Sequence, residues 1–240
     1  DVVFLFDYTG SMDQSPDFFM TTAKNAASQL VSTIKTASGH PTYEYRIGLA
    51  IYDEKSSLNA TPNYNNQSNY TSLPASQRVI QNGTNGNTMF FTAMEMLQTN
   101  NETTFTAQLN KLNNAGNLSM GSGGSVPEPG LPAVQQIVNM QLCGAFRSNV
   151  AKIIILLTDA SEGGTDQIQN AADVTLGNNL ATTLNAQGIK FIAMGPGADN
   201  VTNGVKIYEE LATATGGTST TNFSAVDVAA AIQNACGTLT

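Results

Sequence analysis

Charged side chains are scarce in this sequence, and basic side chains are the scarcest of them. Only 12% of the 240 residues are charged, about half the usual share, and the net charge is -8. The 10 Lys and Arg residues are scattered without forming a basic patch, so we expect no nucleic-acid partner. The polar surface must come from Asn, Thr, Ser and Gln, which mildly favours an extracellular or cell-surface location.

Histidines and long apolar runs are also scarce, and each shortage excludes a class of function. The single histidine, His40, lies beside Pro41 in a predicted turn, so we expect no enzyme built on a Ser-His-Asp triad. The glycines at 163–164 and 195–197 lack the spacing of phosphate-binding loops. No apolar run is long enough to span a bilayer, and we expect no membrane contact by this segment.

The sequence contains two cysteines, Cys143 and Cys236. Each lies at the end of a predicted helix, and both helices lead away from the same edge of the predicted sheet. A disulfide between them and a pair of buried free thiols are therefore both open alternatives.

Strand and helix patterns alternate along the whole chain. Short apolar runs predict strands at residues 2–6, 45–52, 150–157, 189–194 and 218–223. Apolar residues at helical spacing predict helices at residues 19–34, 102–112, 130–142, 166–187, 205–214 and 225–235, with a break near Gly177 in the fourth. This alternation predicts one α/β domain over residues 1–240: a doubly wound, mostly parallel, Rossmann-like sheet with helices on both faces. Because the first strand pattern begins at residue 2, we expect the chain to be a fragment of a longer protein.

Two stretches have no clear pattern. Residues 53–88 are rich in Asn, Ser, Thr and Gln, which predicts a long loop that is either functional or disordered. Residues 89–98 fit a strand or a helix equally well.

Oxygen-bearing side chains follow two of the predicted strands at the point where each ends. Asp7, Thr9 and Ser11 alternate after the first strand, and Asp159 follows the most apolar strand. If these strands are neighbours, the carboxylates meet at the carboxyl edge of the sheet, where doubly wound folds bind ligands. Such hard oxygen ligands suit Mg²⁺; Mn²⁺ would also fit, and Ca²⁺ less tightly. The alternative is that these residues only form turns and helix caps.

These residues carry a resemblance to a known family that covers essentially the whole chain. Residues 7–12, Asp-Tyr-Thr-Gly-Ser-Met, resemble the Asp-x-Ser-x-Ser motif of von Willebrand factor A (vWA) domains, with Thr9 keeping the hydroxyl of the first serine. Residues 156–160, Leu-Leu-Thr-Asp-Ala, resemble the later strand-Asp motif of that family. The pattern is closest to the I-like domain of integrin β subunits, which residues 46–55, 127–130 and 146–150 also resemble.

The resemblance implies a metal ion-dependent adhesion site (MIDAS). Its residues, which would bind the cation or support those that do, are Asp7, Thr9, Ser11, Glu128 and Asp159. Most vWA domains have Thr at the fourth position and the integrin β form has Glu, so Glu128 is expected there, with Ser125 as the alternative. The alternative is that Glu128 is only a carboxylate in the first turn of a helix, where the helix dipole favours a negative charge.

The integrin β domain carries two further cation sites beside the first. Its acidic pair just after the first motif falls on Gln14 and Ser15 here, and its Asn and Asp before the Pro-Glu turn fall on Gly123 and Ser125. We therefore expect one principal metal.

The resemblance implies capture of a partner through the metal. A cation held mainly by hydroxyls and water can accept a carboxylate oxygen from an Asp or Glu of a protein ligand, and no enzymatic activity is expected. One alternative is a structural module of an extracellular assembly or filament, in contact with neighbouring subunits. Another is a scaffold subunit of an intracellular metal- or ATP-dependent complex.

Overall fold

The computed structural model of the protein describes residues 1–13, 19–37, 44–55, 72–84, 86–112, 127–202 and 204–237. Seven strands in these ranges form one sheet: β1 (Val2–Asp7), β2 (Arg46–Lys55), β3 (Arg78–Asn82), β4 (Thr88–Thr99), β5 (Lys152–Leu157), β6 (Ile189–Met194) and β7 (Thr218–Thr220). Their order across the sheet is β3-β4-β2-β1-β5-β6-β7. β4 runs antiparallel to β2 and β3, and the other neighbouring pairs are parallel. The prediction of a mostly parallel sheet is confirmed.

Helices cover both faces of this sheet, which confirms the doubly wound α/β architecture. The described ranges contain six α-helices: α1 (Phe19–Ala37), α2 (Glu102–Leu109), α3 (Gly130–Asn139), α4 (Ala171–Gln187), α5 (Ile207–Ala214) and α6 (Ala225–Gly237). One face packs against α1, α2 and α6, and the other against α3, α4 and α5. No helix in these ranges combines the length and the apolarity needed to cross a membrane.

The central strand β1 is buried along its whole length because both of its faces contribute to a core. Successive side chains of a strand point to opposite faces. Phe4 and Phe6 accordingly pack with α1, α2 and α6, whereas Val3 and Leu5 pack with α3, α4 and α5. Burial on both faces explains the continuous apolar run at the start of the sequence. Because β1 is the central strand of the sheet, its end lies in the middle of the carboxyl edge.

Two parts of the chain differ from the patterns in the sequence. The stretch predicted as a loop over residues 53–88 contains the whole of β3, and the ambiguous stretch at 89–98 belongs to β4. Residues 56–71 lie outside the described residues. β3 lies at an edge of the sheet, and its central Ile80 is 59% exposed, so the strand has little of the burial that makes a pattern recognisable.

The predicted break near Gly177 is wrong, because α4 continues through this position from Ala171 to Gln187. A Cβ atom at Gly177 would lie only 2.9 Å from Cγ2 of Ile207 in α5. The glycine therefore allows two helices to approach closely, which is a packing role that helix propensity alone does not reveal.

The two cysteines lie on opposite faces of the sheet. Cys143 is buried with α3 and α4, whereas Cys236 packs with α1 and α6. Both are free thiols, so of the two alternatives the structure has the unbonded one. The sheet separates the sulfurs, and the sequence does not reveal on which face each helix packs.

Candidate functional site

Asp7 ends β1 at the centre of the sheet and is completely buried. Its Oδ1 accepts hydrogen bonds from the backbone N–H of Thr9 at 3.0 Å and from the Thr9 hydroxyl at 2.7 Å. Its Oδ2 accepts a hydrogen bond from the Thr158 hydroxyl at 2.8 Å. Asp7 is thus oriented by three donors from two neighbouring strand ends.

Ser11 connects the β1 end to Asp159, which follows β5. The Ser11 hydroxyl donates to Oδ1 of Asp159 at 3.0 Å, and its oxygen lies 3.2 Å from the hydroxyl oxygen of Thr9. This contact is formed because β1 pairs directly with β5. Asp7, Thr9, Ser11 and Asp159 therefore form one continuous set of oxygen atoms at the carboxyl edge of the sheet.

Glu128 lies in the turn before α3, where its carboxyl group is close enough to interact with the charge of Asp7 and forms a hydrogen bond with the carboxyl group of Glu54. The residue is 1% exposed, and its Oε2 atom has no hydrogen-bond partner in the part of the chain that the structure describes. Burial and then the negative charges of Asp7, Glu54 and Asp53 raise the pKa of Glu128 well above its usual value. A buried carboxylate oxygen without a donor is costly unless a proton or a cation satisfies it.

Several residues of the site were missed by the motif analysis. Asp53 and Glu54 lie in the last part of β2, which is the other neighbour of β1, and both are buried. Glu54 accepts hydrogen bonds from Asn87 at 3.1 Å and from Gln167. The same reasoning about strand ends that selected Asp7 and Asp159 would have found this pair. Thr158, which donates to Asp7, was also missed, although it directly precedes Asp159.

The carboxyl groups of the site raise one another's pKa. Burial raises the pKa of Asp7. Burial and then the charge of Asp7 raise the pKa of Asp159 to about 7. Burial and the charge of Asp7 also raise the pKa of Glu54, although its amide donors oppose this change. The charges that act on these groups are negative, so the cluster favours binding either protons or a cation.

The donor set fits a hard divalent cation of the Mg²⁺ type, because its atoms are hydroxyl and carboxylate oxygens and one buried carboxylate oxygen lacks a partner. No three His, Cys, Asp or Glu side chains within the described ranges converge closely enough to hold a metal by themselves. Among the described residues, the hydroxyls of Thr9 and Ser11 are therefore the candidates to join the carboxylates as ligands. Ser125, Gln14 and Ser15 lie outside the described residues, and so does His40.

Comparison with known proteins identifies the fold and leaves the family open. No protein-family model matches the sequence, and no curated protein matches it. Proximal thread matrix protein 1 from the mussel byssus is similar in structure with a TM-score of 0.55 and 14% identity, over 98% of this chain and 46% of that chain. A second structure of that protein has a zinc-occupied MIDAS motif.

Two further solved structures share the fold. The pilus adhesin SpaC from Lactobacillus rhamnosus GG matches with a TM-score of 0.51 and 13% identity, over 100% of this chain and 30% of that chain. The human COPII-coat protein Sec24c matches with a TM-score of 0.52 and 11% identity, over 97% of this chain and 32% of that chain. The chain spans less than half the length of each of these chains. At such low identity the likeness shows the fold alone, and that fold is vWA-like.

Proposed function

We propose that this chain is a metal ion-dependent adhesion module that captures an acidic group of a protein partner at the cell surface or outside the cell. The observation that carries the proposal is the continuous set of oxygens from Asp7 through Thr9 and Ser11 to Asp159, with the unpartnered Glu128 oxygen beside it. We propose Mg²⁺ as the cation, with Mn²⁺ or Ca²⁺ as substitutes, and a binding role without catalysis.

The chemistry of the residues supports an open site. When bound, the cation would supply a positive charge able to accept one carboxylate oxygen from the partner. Ser11, Thr9 and Asp159 would hold it from the strand ends, and Asp7 would orient Thr9. Glu128 would approach from the turn before α3. Because two of these groups are neutral hydroxyls, they would leave more of the cation's charge available to a ligand than carboxylates would.

The solved structures support the metal and the location only by analogy. The mussel protein shares the fold and has a zinc-occupied motif, which supports a divalent cation in general. The pilus adhesin supports an adhesive role, and our narrower proposal of an integrin β-like site depends on the sequence resemblance.

A structural module of an extracellular assembly is the second candidate. The observation that favours it is the likeness to a thread matrix protein of the byssus. In that case the same cation would hold the loops together, and neighbouring subunits would be the partners. The third alternative is a scaffold in an intracellular complex. Its support is the likeness to Sec24c, which concerns the fold alone.

Titration of the purified protein with Mg²⁺ and Mn²⁺ tests the metal. A cation that binds only the native state at a concentration of about 100 Kd should stabilise it by about 2.7 kcal/mol. We expect the melting temperature to rise with either cation, and we expect Asp159→Asn to lose most of this rise. The exposed Asp227 in α6 provides the control Asp227→Asn, which should retain the full rise. If neither cation shifts the melting temperature of the wild type, the proposed site is wrong.

A further inference from the structure

The buried carboxylate of Glu162 joins three elements of the fold. Its Oε2 accepts hydrogen bonds from the backbone N–H of Leu131 and the hydroxyl of Tyr208, both at 2.7 Å. Its Oε1 accepts one from the backbone N–H of Gly164, also at 2.7 Å. Leu131 lies in the first turn of α3 and Tyr208 lies in α5, so one side chain ties both helices to the loop after β5.

The backbone around Glu162 holds the turn that carries Glu128. The N–H of Glu128 donates to the carbonyl of Ser161 at 2.9 Å, and the N–H of Gly163 donates to the carbonyl of Glu128 at 2.9 Å. These bonds form a short parallel bridge between Glu128 and Glu162. The position of Glu128 is therefore set by the segment that begins at Asp159.

Close packing leaves this arrangement little freedom. A Cβ atom at Gly130 would lie 2.2 Å from the Tyr208 hydroxyl and 3.2 Å from Oε2 of Glu162. A Cβ atom at Gly163 would lie 2.6 Å from the carbonyl oxygen of Pro127. Only glycine fits at these two positions, and a shift of either segment would break a contact that the other depends on.

We infer that Glu162 is a positioning residue that holds the Glu128 carboxylate at the cation site. The inference rests on the proposed function and adds to it a residue that does not touch the cation. Its role follows from the two sets of bonds: the side chain fixes α3 and α5, and the backbone fixes Glu128 relative to Asp159. Mutation of residues that orient metal ligands typically weakens metal binding about 10- to 100-fold.

The inference is tested by measuring Mn²⁺ affinity by calorimetry at a temperature where every variant is folded. Glu162→Gln keeps the shape of the side chain, but its amide nitrogen cannot accept a hydrogen bond, so one donor loses its acceptor. We expect Mn²⁺ to bind about tenfold more weakly to this variant. Tyr208→Phe removes one donor and leaves the carboxylate, and we expect a smaller loss in the same direction.

Leu184→Ala is the control for a general loss of stability, because Leu184 is buried near the C-terminal end of α4, whereas the loop that carries Glu162 precedes the N-terminal end of that helix. It should lower the melting temperature and leave Mn²⁺ affinity unchanged. In the Glu128→Ala background, Glu162→Gln should weaken Mn²⁺ binding less than about twofold, since residues that act through one another are not additive. Wild-type affinity in Glu162→Gln, or an equal loss in both backgrounds, would overturn the inference alone. Absence of Mn²⁺ binding by the wild type would overturn the proposed function and the inference with it.

Discussion

Two hydroxyl groups connect the carboxylates at the centre of the site. Each hydroxyl has a single proton to donate. The Thr9 hydroxyl donates to Asp7 and the Ser11 hydroxyl donates to Asp159. Their oxygens lie 3.2 Å apart, within hydrogen-bond distance, and either hydroxyl could be the donor. Hydroxyl oxygens at this spacing have lone pairs that a cation could share, so both could turn toward one bound ion.

The Thr9 hydroxyl gives a prediction at this scale. Thr9→Val keeps the shape of the side chain and removes the hydroxyl, so Asp7 loses a buried donor at a cost of about 1–3 kcal/mol in the free energy of unfolding. We also expect Mn²⁺ to bind more weakly. Thr9→Ser keeps the hydroxyl and is the matched control; it should retain Mn²⁺ affinity. Urea unfolding and calorimetric titration of the two variants check both expectations. Equal affinities of Thr9→Val and the wild type would show that the hydroxyl is not a ligand.

Individual site residues were predictable where a motif marks them. Asp7, Thr9, Ser11 and Asp159 follow directly from the strand ends, and the structure brings them together. Glu162 could not be found in this way, because two of its three hydrogen-bond partners, Leu131 and Tyr208, come from helices far away in the sequence. A buried acid looks the same in a sequence as an exposed one until the packing around it is known.

At the scale of elements, the loop between β5 and α4 joins the site to the far side of the sheet. The backbone N–H of Thr84, in the β3–β4 connection, donates to the carbonyl of Thr165 at 2.9 Å. Gln167 of the same loop donates to Glu54 at the end of β2. The loop that carries Asp159 is thus held by the β3–β4 connection and by the end of β2. Any movement of Asp159 on ligand binding would have to strain these bonds.

The start of α4 gives a pH-dependent prediction for the same loop. Asn170 and Asp173 form a capping box: Asn170 accepts from Ala172 N–H at 2.7 Å, and Asp173 accepts from Asn170 N–H at 2.9 Å. Burial raises the pKa of Asp173 from 3.8 to about 6, since the Asn170 donor offsets it only in part and Asp166 adds to it. The pKa of Asp173 is therefore higher in the folded state than in the unfolded state, and between pH 3.8 and about pH 6 the folded state binds more protons. As pH rises through this range, Asp173 lowers the free energy of unfolding.

Asp173→Asn keeps an acceptor for the cap and removes the titration. The free energy of unfolding of Asp173→Asn relative to the wild type should therefore increase between about pH 4 and pH 6 and then level off. Urea unfolding at pH 4, 5, 6 and 7 measures this difference, and other titrating groups cancel from it. A difference independent of pH would mean that the carboxyl group is solvated in the folded state.

Most elements were predictable, and the exceptions have a physical cause. Strands buried on both faces, such as β1, β5 and β6, have continuous apolar runs that leave little ambiguity. The edge strand β3 was missed, and β4 was ambiguous because its apolar residues run together without alternation. β4 is buried on both faces although it is antiparallel, so neither of the usual strand patterns applies.

At the scale of the whole molecule, the order of the strands creates the site. β2 and β5 lie on either side of β1, so three strand ends with acidic residues meet at one edge. Strand order depends on how helices cross over the sheet, and the sequence reveals it only through a family resemblance. Asp53 and Glu54 directly follow a predicted strand, so the sequence does mark them as strand-end residues. Their place beside Asp7, however, is visible only once β2 is known to be the neighbour of β1.

The net charge of -8 and the acidic edge make the protein alone a poor receptor for an acidic ligand. Under the proposed function, capture of an Asp or Glu would therefore require the cation, and this gives the last prediction. A phage-displayed peptide library panned against the protein in Mg²⁺ should yield peptides that contain Asp or Glu and that EDTA releases. Replacement of that residue by Asn or Gln should abolish binding of the synthetic peptide, and Asp159→Asn protein should not capture the original. The Asp227→Asn protein should capture it as the wild type does. Peptides that stay bound in EDTA would show that the partner surface lies elsewhere, because the carboxylates that the structure describes at this edge repel an acidic group once the cation is removed.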